Sequence, residues 1–264
     1  MLRQALRFVP VLLLGAVGAF AQGNFAHYTY GGGYTSTFTF VNQDTTTAAA
    51  ASLYFYTPTG GAATVPILIN GTATPTTSPY TFSIPANGAI TIVLPAPTPD
   101  PGEAPGWAQL VVSNYVPVNG QLTFRRHTSG SPDTETVVPL SGVTAACLLP
   151  LPVSTPVTII PFDNTTGQHG TAIALANTSA SAQALSLEFD DQAGNVILTD
   201  TTKYTAFATL NHDAWLMTAS YPATVNKVGT LKITGMVNSA DLAVVALWFN
   251  TATNTLTTVL PITQ

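Results

Sequence analysis

The sequence predicts an all-β protein: a cleavable leader followed by two copies of one sandwich of β-sheets. Three observations carry this. The composition favours strands and turns over helices, apolar–polar alternations recur in both halves of the chain, and the N-terminus has the layout of an export signal.

Composition comes first. The chain has 264 residues, enough for two modest domains that each bury a core. Charged residues make up only 7%, against the usual quarter or so. Lys, Glu and Arg, which clothe helix surfaces, are scarce, whereas Thr, Val, Phe and Tyr, which suit a pleated surface, are abundant. Twenty Gly and twenty Pro supply turns.

The leader is the clearest local signal. Arg3 and Arg7 precede the apolar run Phe8 to Phe20, and Ala19-Phe20-Ala21 forms an A-x-A cleavage site. Cleavage is expected after Ala21, leaving Gln22 as the new N-terminus. The run is too short and interrupted for a transmembrane helix. No cysteine follows it, so no lipid anchor of that kind is expected. These features imply a secreted, extracellular or periplasmic protein with no membrane span in the mature chain.

Sliding the chain along itself exposes the repeat. Phe38-Thr39-Phe40-Val41-Asn42 is answered by Ile173-Ala174-Leu175-Ala176-Asn177, and Ser52-Leu53-Tyr54-Phe55 by Ser186-Leu187-Glu188-Phe189. Leu110-Val111-Val112-Ser113 is answered by Leu231-Lys232-Ile233-Thr234, and Thr136-Val137-Val138-Pro139-Leu140 by Thr258-Val259-Leu260-Pro261-Ile262. The four pairs keep their order. Period-two spacing dominates inside them, as with Leu242, Val244, Ala246 and Trp248 on one strand face. Asp213 to Ser220 could instead form a short helix or turn. Turn signals about every ten residues give seven or eight strands per copy, the pattern of an immunoglobulin-like or fibronectin-like sandwich. A single long barrel is the alternative, and it explains the repeat less well.

The boundaries follow. Residues 1–21 are the signal peptide, 22–148 the first domain, 149–156 a Pro-rich linker and 157–264 the second domain. Pro150, Pro152 and Pro156 make the linker short and stiff, so the domains are expected in fixed relation. The extra length of the first copy is taken up by the Pro-rich loop Pro95 to Pro105. Cys147 is the lone cysteine and cannot form an internal disulfide; its apolar neighbours suggest a buried thiol.

The strings Phe25-Ala26-His27-Tyr28, Gly31-Gly32-Gly33-Tyr34 and Pro161-Phe162-Asp163-Asn164, with the repeated blocks, resemble secreted proteins of environmental bacteria such as Acidobacteria. Those proteins carry Ig-like β-sandwich domains in tandem. The resemblance covers most of the mature chain and implies an exported or cell-surface location. It brings no activity and no catalytic residues.

Charge narrows the partners. The formal net charge is −5, and removal of Arg3 and Arg7 takes the mature chain to about −7. Arg125-Arg126-His127 is the one basic cluster, so nucleic acid is not an expected partner. Aromatic residues are the best recognition candidates: Tyr28, Tyr30 and Tyr34 surround the glycine run, and flat rings stack on sugars and anchor interfaces. The competing reading places them in the core. Asp190, Asp191 and Asn195 form a Gly-containing loop that is a hairpin turn on one reading and a Ca²⁺ site on the other; no other cofactor is expected. His27, His127, His169 and His212 show no metal-ligand spacing, and no Gly-x-Ser-x-Gly elbow occurs. The sequons at Asn70, Asn164 and Asn177 are assigned no glycans.

The sequence therefore points to a non-enzymatic structural, adhesive or binding module, with cell-wall or matrix polysaccharide or a protein as partner. A secreted hydrolase or hydrolase accessory acting on polysaccharide is the alternative. Thr/Val-rich strands with few edge charges also allow self-association.

Overall fold

A computed structural model describes residues 21–69, 72–130, 132–142, 156–250 and 252–264. Most of the leader, the sequon at Asn70, Cys147 and all of the linker but Pro156 lie outside the described residues.

The described chain is all-β. The first half holds β1 (Ala21–Tyr30), β2 (Tyr34–Asn42), β3 (Ala49–Tyr56), β4 (Thr64–Ile69), β5 (Thr72–Thr77), β6 (Tyr80–Ile84), β7 (Ala89–Leu94), β8 (Ala104–Val112), β9 (Val118–Arg126) and β10 (Thr134–Pro139). The second half holds β11 (Thr158–Asp163), β12 (His169–Asn177), β13 (Gln183–Asp191), β14 (Val196–Phe207), β15 (His212–Leu216), β16 (Val228–Thr234), β17 (Leu242–Asn250), β18 (Thr255–Val259) and β19 (Ile262–Thr263). The Asp213–Ser220 stretch divides: Asp213 to Leu216 belongs to β15, and Met217–Ser220 is a one-turn helix.

Each half is a pair of antiparallel sheets with one shared strand order. The first half has β1-β8-β3-β6 and β10-β9-β2-β7, with β4-β5 as a separate hairpin. The second has β11-β16-β13-β14, extended by β19, and β18-β17-β12-β15. The four repeated sequence blocks lie on β2 and β12, β3 and β13, β8 and β16, and β10 and β18, which hold equivalent places in the two orders.

Alternation explains the packing. In β2 the inward residues Ser36, Phe38 and Phe40 are fully buried, while Thr35, Thr37 and Thr39 face the other side. Phe25 of β1 meets Phe38 edge-on at 5.1 Å, and Phe55 meets Phe38 at 5.8 Å. Each such ring taken wholly out of water stabilises the fold by about 1.5–3 kcal/mol. The second core gathers Phe162, Leu175, Leu187, Phe189, Leu231 and Ile233 in the same manner.

The halves also pack on each other. β12 and β17 are buried on both faces: Ile173, Leu175, Leu242, Val244 and Ala246 enter the second core, while Ala174, Ala176, Ala243 and Val245 join the first. These small side chains let β1 lie close against β12 and β17. The edge strands β10 and β18 meet where the Thr136 and Thr258 hydroxyls are 2.8 Å apart, and Thr258 also donates to the Val137 carbonyl. The turn after β3 docks under the segment before β15. His212 N–H donates to Pro58 O at 2.9 Å, and the buried Trp107 donates its indole N–H to Leu210 O at 2.7 Å.

Candidate functional site

Where β10 and β18 part beyond Thr136 and Thr258, a cleft of about 720 Å³ opens between the halves. One wall is the outward face of β12, β15 and β17: Ala172, Ala174, Ala214, Leu216, Leu247 and Phe249. The opposite wall is the inward face of β2, β9 and β10, running past the first core. There Tyr34, Arg126 and Thr134 form a cross-strand row, with Phe124 beside it. His27 and Thr29 of β1 lie between the walls, and Glu103, Asn250, Asn254 and Thr255 complete the lining. An apolar cleft of this size with a few polar groups at its margin is the usual form of a small-ligand site.

Strand alternation sorts the basic cluster. Arg125 and His127 leave β9 on its outer side, and both are held by Asp133: Nε of Arg125 donates to Oδ2 at 2.7 Å, and Nδ1 of His127 lies 2.7 Å from Oδ1. Arg126, one residue out of phase, turns to the cleft, and its guanidinium carbon sits 5.4 Å from the Tyr34 ring centroid. Among the described residues Arg126 enters no ion pair.

The glycine run and the Pro-rich loop together set the rim. Gly31, Gly32 and Gly33 all have positive φ, which non-glycine residues adopt rarely. They close the turn between β1 and β2 against the loop. Gly32 N–H donates to the Asp100 carboxylate at 2.9 and 3.0 Å, and Asp100 also accepts from Gly102 N–H at 2.9 Å. A side chain at Gly31 would meet Gly102 O at 2.2 Å. This docking carries Glu103 to the cleft beside Tyr34. Burial raises the Tyr34 hydroxyl above its ordinary pKa; Arg126 opposes that shift and Glu103 adds to it.

The three tyrosines part company. Tyr28 is buried at 2% exposure, edge-on to Phe55, with its hydroxyl 3.2 Å from Tyr56 O. Burial pushes its pKa well up. Tyr30 is half-buried beside Tyr28 and reaches towards Thr64 O at 3.5 Å. Tyr34 alone lines the cleft. The rings therefore do not form one exposed platform, because Tyr28 and Tyr30 share a strand face directed at the first core.

Asp190, Asp191 and Asn195 form a turn. Asp191 Oδ1 accepts the backbone N–H groups of Ala193 and Asn195, each at 2.9 Å, and closes the β13–β14 hairpin. Asp190 points elsewhere: it is buried, and its Oδ2 lies 2.6 Å from Lys232 Nζ. Among the described residues no three His, Cys, Asp or Glu side chains converge as metal ligands. Ala21 and Gln22 open β1, paired with Val112 and Val111.

Two features had no signal in the sequence. His27 Nδ1 and His212 Nε2 are 3.1 Å apart with their rings stacked, so one nitrogen donates to the other. Burial, and then the second imidazole, hold His27 down at about 3; burial holds His212 at about 4. Behind Trp215, whose indole N–H donates to Tyr204 Oη at 2.8 Å, Lys203 sits over the rings of Trp215, Tyr204 and Tyr221 and pairs with Asp213. That aromatic cage is filled by the protein's own cation.

Chemically, the cleft offers apolar and aromatic surface, the Glu103 carboxylate, the Arg126 guanidinium, the Asn254 amide and the Thr134 and Thr255 hydroxyls, while the Thr29 hydroxyl is buried and the Asn250 amide is bonded within the fold. Glycoside hydrolysis by paired carboxylates needs two acids flanking the bond, and Glu103 is the one acid in this lining. The chain matches no protein-family model and no curated protein.

Proposed function

We propose that the protein is an exported, non-enzymatic binding module of the cell surface or extracellular space, and that it binds carbohydrate in the cleft between its halves. The cleft is the observation that carries this reading. It combines ring and aliphatic faces for the C–H surface of a sugar with amide, hydroxyl and carboxylate groups for its hydroxyls. The leader and the resemblance to secreted tandem sandwich proteins support export. Hydrogen bonds between the halves, from Trp107 to Leu210 O and between Thr136 and Thr258, support binding without large reorganisation.

The test is co-sedimentation of residues 22–264 with insoluble polysaccharides and cell walls, beside Tyr34→Ala and Tyr54→Ala. Tyr54 points away from the core on the opposite sheet and serves as the control. Tyr34→Ala is expected to lose most of a saturable binding that Tyr54→Ala keeps. Equal binding by the two variants would remove the cleft from the explanation, and no pelleting with any polymer would remove carbohydrate.

A further inference from the structure

We propose that the sugar taken by the cleft is acidic: a uronate unit whose carboxylate pairs with Arg126. The inference rests on the carbohydrate reading above and names the class of sugar.

The cation is the first part of the argument. Arg125, Lys203 and Lys232 each have a carboxylate partner in the fold. Arg126 has none among the described residues, yet it is the side chain of its cluster that faces the cleft. A guanidinium presents a planar fork of N–H donors that matches a carboxylate in two-point contact. Its position against the Tyr34 ring limits the conformations of the fork.

The remaining polar groups select a sugar over a simple fatty or aromatic acid. An apolar acid needs one cation and a greasy wall. This lining also holds Glu103, Asn254, Thr134 and Thr255, groups that hydrogen-bond hydroxyls. Glu103 accepts hydrogen bonds from hydroxyls, and Arg126 is the one group of the lining that attracts a carboxylate. The strongly acidic mature chain repels polyanions at long range. A short oligouronide, or a single uronate unit of a longer chain, therefore suits the cleft better than a densely charged polymer laid along the whole surface.

The experiment is calorimetric titration of residues 22–264 with trigalacturonate and with neutral galactotriose, in low and moderate salt. Arg126→Gln removes the cation. Thr255→Trp fills the cleft from its exposed rim. Matching circular dichroism and melting curves establish that both variants fold. Trigalacturonate is expected to bind at least tenfold more tightly than galactotriose, to weaken with salt, to weaken about tenfold in Arg126→Gln and to lose binding in Thr255→Trp. Equal affinity for both sugars, unchanged by Arg126→Gln but lost in Thr255→Trp, would overturn the uronate assignment and leave the carbohydrate cleft standing. Binding of trigalacturonate that survives Thr255→Trp would place the site outside the cleft, and no binding of either sugar would overturn both readings.

Discussion

His27 and His212 show how a pair of ordinary residues acquires a property neither has alone. They are 185 positions apart and meet at 3.1 Å across the two halves. A neutral imidazole pair satisfies one hydrogen bond, whereas a proton on either ring places a charge on a pair stripped of much of its water, His212 being buried and His27 half-buried at the cleft. Both folded-state values lie below the ordinary histidine value of about 6.5. The unfolded chain therefore binds more protons than the folded one below that pH. Stability contributed by the neutral pair is complete above about pH 6.5 and is lost as pH falls towards about 4. The melting temperature is expected to drop between pH 7 and pH 4.5, and His27→Gln/His212→Gln to flatten that drop. Asp200, held down to about 2 chiefly by the Thr202 N–H bond, loses its contribution only below about pH 4, so the two windows separate. An unchanged pH slope in the double variant would count against the pair as the acid-sensitive element.

At the scale of elements, the repeat is a repeat of strand ends as much as of strands. β2 and β12 both finish in a buried asparagine. Asn42 Nδ2 donates to Thr47 O at 2.8 Å and approaches Ile84 O at 3.2 Å; Asn177 Nδ2 donates to Ser181 O at 2.9 Å and Phe207 O at 2.8 Å. Each Oδ1 accepts a backbone N–H two residues on, from Asp44 and from Ser179. One amide thus ends the strand, shapes the following turn and ties it to a distant strand. The shared Asn was visible in the sequence; its bonds to Ile84 and Phe207 were not, since those partners lie 42 and 30 residues away. Asn177→Asp turns the donor into an acceptor facing two carbonyls. It is expected to cost about 3 kcal/mol or more, read as a lower urea midpoint with unchanged slope. A shift within about 0.5 kcal/mol would make the amide dispensable.

For the whole molecule, the contact between halves decides the behaviour. Ala176 is fully buried and belongs to the first core although it lies on a second-half strand. The halves should therefore unfold in one calorimetric transition. Ala176→Phe overpacks that contact by an aromatic ring and is expected to cost about 1–3 kcal/mol and to split the transition in two. A single transition in the variant at an unchanged temperature would mean that the halves are not coupled through this face. The same contact covers two edges that separate sandwiches would expose: β1 lies on β12 and β17, and β10 meets β18.

The sequence by itself determined the all-β class, the repeated strand blocks and the turns, because each depends on near neighbours: a period of two, a glycine needing positive φ, an asparagine at a strand end. It also marked the Arg125-Arg126-His127 cluster and Tyr34. Only the tertiary structure decided that Arg126 stands apart from its neighbours, that Tyr28 and Tyr30 turn to the first core, and that Glu103, His27, Phe249 and Asn250 share one cleft with Tyr34. The physical reason is that those juxtapositions are made by two sheets from opposite halves meeting across small side chains. No local period in the chain records which face of a strand the other half will cover.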